Sequence, residues 1–253
     1  MPRSSLVRQL LPLTTRQMLK HRWRRLQDIR HGITFDSSRG NVPTASPMHL
    51  PIQILQPIRR SNFYDNKIIN ITRGAALLHN SCIRPAHNWS FWHLVGRPDA
   101  ANGFVAGRNL VDGKLVAQTG GGLCQLSSLV YHLALMAGLT IKERHAHSID
   151  IYEEEARYTP LGSDATVVWG FKDLRLYNPH PFPVAFSFVV SNGELVGGVY
   201  SESPLIPKQV EFVRKSLVAP FVKVETVVDN LLHTTTTYEQ QQGLKAPVKG
   251  RSH

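Results

Sequence analysis

Hydrophobic positions near the start of the chain fall at helical spacing. Leu19, Trp23 and Leu26 follow Thr14 and Thr15, two residues with N-cap chemistry, and Arg22, Arg24 and Arg25 are interleaved. The pattern predicts a basic amphipathic helix that ends near Gly32. Two roles fit such a helix: a surface element docked on the body, or a contact with anionic lipid or another polyanion. Residues 36–60 are rich in Ser, Asn and Pro, with Pro43, Pro47, Pro51 and Pro57, and read as a linker or irregular wrap. Helical periodicity returns over 66–80, where Ile68, Ile71, Ala75 and Leu78 share a face. Pro85, Gly96 and Pro98 then punctuate an irregular stretch holding Trp89, Phe91, Trp92 and His93.

After Thr119 the pattern sharpens. Gly120, Gly121 and Gly122 precede a helix in which Leu126, Leu129, Val130, Leu133 and Ala137 repeat at helical spacing, with Gly138 placed to stop it. Ile141, Glu143, His145, His147, Ile149 and Ile151 alternate as one face of an extended segment. Residues 165–169, 173–177 and 184–190 read as further strands, and Asn192-Gly193 as a hairpin turn into 194–200. Residues 210–227 have the pattern of another strand pair, and the Thr-rich, Gln-rich and basic end reads as a mobile tail. The expected fold class is α+β, helices followed by a mostly antiparallel sheet. The expected division is a basic arm at 1–35, a linker at 36–60, a central domain at 61–202 and an extension at 203–253.

The net charge of +11 first suggests a polyanionic partner, but residues 1–30 carry +7 and residues 241–253 carry +3. The body is close to neutral, so the arms hold the charge and no nucleic-acid partner is expected. Two cysteines, Cys82 and Cys124, cannot form a disulfide framework. No stretch is long and apolar enough to predict a transmembrane helix, and Leu10-Leu11-Pro12-Leu13 is too short and broken for a signal-peptide core.

The candidate chemistry centres on Cys124. A thiol becomes a useful nucleophile as a thiolate, and a helix N-terminus favours that charge. The glycines in front allow unusual backbone angles and close approach of a substrate; first-turn N–H groups from Gly122 onward, with the Gln125 side chain, could serve as oxyanion donors. The base would be His145 or His147, and the carboxylate that orients it Asp164 or Asp173. Trp92 and His93 could line a substrate groove or belong to the core. Arg144 could hold a substrate carboxylate or make a salt bridge. His-x-His alone is a weak metal signal without C-x-x-C or H-E-x-x-H, so neither metal nor cofactor is expected.

Several motifs in order resemble one family. Residues 70–74, Trp89-Ser90-Phe91-Trp92, GGGLCQLSS at 120–128, ERHAHS at 143–148, PLGSDATV at 160–167 and DLRLYN at 173–178 look like a VanW domain over about residues 60–200. The resemblance implies a bacterial protein linked to glycopeptide (vancomycin) resistance. It implies action on peptidoglycan stem peptides or precursors, as an L,D-transpeptidase-like thiol enzyme or as a non-catalytic binding accessory. On the matching positions Cys124 is the nucleophile, with His147 and Asp164 as its partners. The same order of Cys, His and Asp is similar to transglutaminase-like thiol enzymes. The family role implies the cell envelope, although no export signal is visible. Glu153-Glu154-Glu155 is a departure, standing where many relatives run directly from the His segment to P-L-G.

Overall fold

Local sequence chemistry sets most of the element boundaries. A computed structural model describes residues 11–38, 52–60, 62–111, 114–150 and 157–240. Most of the Pro-rich stretch, Ile151, the Glu153–155 run and the basic end at 241–253 lie outside these residues.

Helix α1 spans Leu13–Arg30. Thr14 and Thr15 do not cap it. Pro12, with φ −53° and no side-chain bond to the helix, stands at the N-cap, and both threonines lie inside the first turn. Helix α1 also inverts the usual amphipathic arrangement. Asp28 is buried toward the body, while Leu19, Trp23 and Leu26 point outward.

Strand β1, Ile52–Pro57, corrects the linker reading of 36–60. It pairs with β10 from Ile52↔Val199 to Pro57↔Glu194, where β10 is Glu194–Ser201. Proline is tolerated there because β1 is an edge strand. The sheet continues through β9, Val184–Ser191, to β2, Cys82–Ile83, all antiparallel. Asn192 and Gly193 make the expected tight turn, with φ 52° and 77°. Helix α2, Tyr64–Leu78, and helix α4, Leu123–Met136, pack beside this sheet. Between them come β3 (Asn88–Ser90), the short helix α3 (Phe91–Val95) and the hairpin of β4 (Ala106–Val111) and β5 (Lys114–Thr119). The main core joins Leu126, Leu129 and Leu133 of α4 to Ile71 and Leu78 of α2 and to Phe186 and Val199 of the sheet.

A small sheet orders β3, β8 (Arg175–Tyr177) and β6 (Thr140–Glu143). Strand β6 stops at Glu143 after a register shift, and β7 is only Ile149–Asp150. Residues 141–149 are therefore not one continuous strand, and His145 and His147 do not share a face. Residues 165–169 likewise form no strand, apart from a bridge between Val168 and Lys172.

The C-terminal region also departs from expectation. Strands β11 (Val210–Ser216), β12 (Phe221–Val228) and β13 (Leu231–Gln240) form an antiparallel sheet, and β7 joins β13 in parallel. The Thr-rich run is strand β13 and not a mobile tail. Val222, Val224 and Tyr238 bury themselves with Leu161, so this sheet packs on the P-L-G-S-D loop. The fold is α+β, with helices interleaved among the strands.

Candidate active site

Helix α4 begins at Leu123 because Gly122 ends the preceding turn in a left-handed conformation, φ 103°, which L side chains rarely adopt. Cys124 is thus the second residue of the helix, half-buried against the core. Among the described residues its backbone N–H has no acceptor, as expected in a first helical turn. Its Sγ lies 3.8 Å from the Val167 carbonyl.

Two serines of the helix bring the facing chain segment to the thiol. Ser128 Oγ donates to the Cys124 carbonyl at 2.6 Å and accepts from the Ala165 N–H at 3.0 Å. Ser127 Oγ donates to the Ala165 carbonyl at 2.6 Å. Asp164 is held at the start of that segment. Its Oδ2 accepts from the His147 backbone N–H at 2.7 Å and lies 2.8 Å from His147 Nδ1. Burial favours a neutral Asp164, but the His147 bonds and charge, with the Arg144 guanidinium, hold its carboxyl down at about 2. An ionised carboxylate only accepts, so His147 Nδ1 is the donor and Nε2 is left for the thiol.

His147 and Cys124 lie close enough to shift each other. Burial works against a charged His147, yet the bonds to Asp164 and Cys124 push it up to about 10. Burial also works against the thiolate, but the His147 hydrogen bond and charge, with the Val167 contact, bring Cys124 below the usual thiol value. Both directions favour the thiolate–imidazolium form of the pair. Such a pair, with an oriented imidazole and an open N–H at the helix start, has the parts of a nucleophile, a general acid–base and an oxyanion donor.

The other candidates sit elsewhere or do other work. Gln125 is buried, and its Nε2 donates to the Pro57 carbonyl at 3.1 Å, so it is not open as an oxyanion donor. His145 turns away to Glu143, Nε2 to Oε1 2.9 Å. Asp173 accepts from Ser90 Oγ (2.7 Å), the Trp92 N–H (3.2 Å) and Arg175 Nε (3.1 Å) and touches neither histidine of the H-x-H. Burial, with Glu143 nearby, raises its pKa. Trp92 is buried and donates Nε1–H to the Lys172 carbonyl at 2.7 Å. Trp92 and His93 do line a cavity of about 510 Å³ between α1 and the body, but Cys124 and His147 are not among its lining residues.

Arg144 is fully engaged. Its Nε donates to the Asp164 carbonyl (2.8 Å), Nη1 to Thr236 Oγ1 (2.8 Å), and Nη2 to the Gly162 carbonyl, Asp164 Oδ1 and the Tyr238 hydroxyl (3.0–3.1 Å). A guanidinium so occupied braces Asp164 and leaves little for a substrate carboxylate. Tyr238 donates to Asp164 Oδ1 at 2.5 Å, and burial together with that carboxylate keeps its phenol protonated. Thr236 and Tyr238, both on β13, are the site-building residues that sequence reasoning missed. Their signal in the sequence is the run of four β-branched threonines ending in a tyrosine, a composition that favours a strand. No group of three or more His, Cys, Asp or Glu among the described residues is arranged to hold a metal ion.

The family model described as VanW like protein matches residues 66–200, more than half of the chain. The chain belongs to the VanW family. It is 28% identical over 160 residues to the vancomycin B-type resistance protein VanW of Enterococcus faecalis (strain ATCC 700802 / V583), covering 61% of this chain and 58% of that protein. It is 30% identical over 154 residues to the uncharacterized protein YoaR of Bacillus subtilis (strain 168), covering 58% of this chain and 49% of that one. The chain thus spans about half to three-fifths of the length of these relatives. No solved structure matches it. Thr236 and Tyr238 fall beyond the segment matched by the family model, so in this chain a region outside the family domain braces Asp164.

Proposed function

We propose that this chain is a cysteine-dependent acyl-transfer enzyme of the L,D-transpeptidase type, acting on peptidoglycan stem peptides or their precursors. The observation that carries the proposal is the His147–Asp164 hydrogen bond beside Cys124, with Cys124 and His147 shifting each other's pKa toward a charged pair. Membership of the VanW family and the name of the enterococcal relative, which links that protein to vancomycin resistance, support the cell-wall substrate. The order of Cys at a helix start, then His, then Asp, similar to transglutaminase-like thiol enzymes, supports the reaction class by analogy.

The Cys124 thiolate attacks a peptide carbonyl carbon, and the Cys124 N–H stabilises the oxygen that becomes negative. His147 gives its Nε2 proton to the leaving amine as the C–N bond breaks, which leaves a thioester on Cys124. An acceptor amine then attacks the thioester and loses its proton to His147, and the thiolate departs. Water in place of the amine makes the same site a hydrolase. Asp164 keeps the imidazole in one tautomer throughout.

Replacement of Cys124 tests the reading. The intact protein is expected to change the muropeptide profile of cells that express it, and Cys124→Ala and Cys124→Ser are expected to abolish that change. If both variants keep the full effect, the protein is a binding accessory and the enzyme reading is lost.

A further inference from the structure

Helix α1 carries Arg16, Lys20, Arg22, Arg24, Arg25 and Arg30 against a single acid, Asp28. The acid and part of the basic charge are spent inward. Asp28 pairs with Arg175 through both carboxylate oxygens, at 2.7 and 2.9 Å, and Arg24 pairs with Glu143. These pairs fix the roll of the helix and hold its apolar stripe to the outside. Leu19, Trp23 and Leu26, at i, i+4 and i+7, are 53%, 48% and 60% exposed. Arg22 and Arg30 are exposed on the same side, and the Lys20 ammonium lies 3.9 Å from the Trp23 ring centroid. No helix among the described residues is long and apolar enough to cross a membrane.

We infer that the outer face of α1 is a docking surface for an anionic phospholipid bilayer. An apolar stripe with an interfacial tryptophan, flanked by cations and free of outward acids, matches the headgroup boundary of such a bilayer. Charge decides between this occupant and a second copy of the chain. Two α1 faces brought together would set Arg22 and Arg30 against like charges, whereas anionic headgroups neutralise them. The surface is independent of the Cys124 chemistry and stands whether or not the thiol is catalytic.

The test is co-sedimentation of the full chain with vesicles of phosphatidylcholine alone and of phosphatidylcholine with phosphatidylglycerol. The protein is expected to partition onto the phosphatidylglycerol vesicles and to come off as salt is raised. Leu19→Ser with Leu26→Ser is expected to weaken partition about tenfold or more. Each of Arg22→Gln and Arg30→Gln is expected to weaken it about fivefold. These side chains are exposed, so circular dichroism and the alkylation rate of Cys124 should not change. The inference is overturned by absence of binding, by equal binding to both vesicles, or by binding that the serine pair leaves intact. It is equally overturned if sedimentation velocity finds a dimer that the serine pair dissociates.

Discussion

Cys82 and Cys124 are the two free thiols of the described chain, and their surroundings act on them in opposite directions. Cys82 sits in β2, packed on Ala185 and Tyr200; burial, with Asp36 and Glu202 nearby, pushes its thiol up to about 11. Cys124 also loses solvation, yet His147 outweighs that loss and lowers its pKa. Burial alone makes a thiol inert, whichever element carries it. A positioned imidazole reverses the outcome, and the imidazole is positioned by Asp164. The difference between the thiols therefore rests on His147 and, through it, on the Asp164 carboxylate that holds the ring.

The largest expected effect comes from removing that carboxylate. Asp164→Ala leaves the Arg144 guanidinium buried without its anion and is expected to cost about 3–5 kcal/mol of stability, read as a fall in Tm. An unchanged Tm would mean that Arg144 and Tyr238 do not depend on Asp164. The thiols themselves come next. At neutral pH iodoacetamide is expected to label Cys124 faster than Cys82 by on the order of a hundredfold or more. Equal rates would erase the comparison.

A smaller and more specific change follows from His147→Gln. Cys124 then loses the partner that lowers its pKa, so the alkylation profile should move to higher pH, while His145→Gln should leave it in place. Stability gives the companion reading. His147 is raised from 6.5 to about 10 in the fold, so its contribution is complete below 6.5 and is lost as pH rises through about 10. Asp164 is lowered from 3.8 to about 2, so its contribution is present above 3.8 and is lost as pH falls toward 2. His147→Gln should remove the alkaline loss. Smallest of all, Tyr238→Phe keeps the packing against Leu161 and Val224 but removes the hydroxyl's bonds to Asp164 and from Arg144, at a cost of about 1–3 kcal/mol. Its Cys124 should remain more reactive than Cys82.

How much of this was legible in the sequence follows from the range of the interactions. Helices α2 and α4 and the Asn192-Gly193 hairpin come from local period and turn chemistry, and the reading placed them within a few residues. The Cys124, His147 and Asp164 positions emerged from motif order, and the structure brings those three together. What failed was non-local. Arg144 has the look of a surface cation until strand β13, some ninety positions away, delivers Thr236 and Tyr238 to it. His145 and His147 alternate correctly on paper, but β6 ends at Glu143 and the two rings part. The inward face of α1 is set by Asp28 and Arg175, 147 positions apart, against the apolar pattern that would have turned it over.

The most direct measurement is mass spectrometry of the intact protein after incubation with purified muropeptides. The expected result is an acyl adduct whose mass matches a stem-peptide fragment, confined to the peptide carrying Cys124, lost on addition of an acceptor amine and absent from His147→Gln. A fully reduced protein that gathers no adduct on Cys124 under these conditions, or one that gathers it equally on Cys82, would contradict the proposed thiol chemistry.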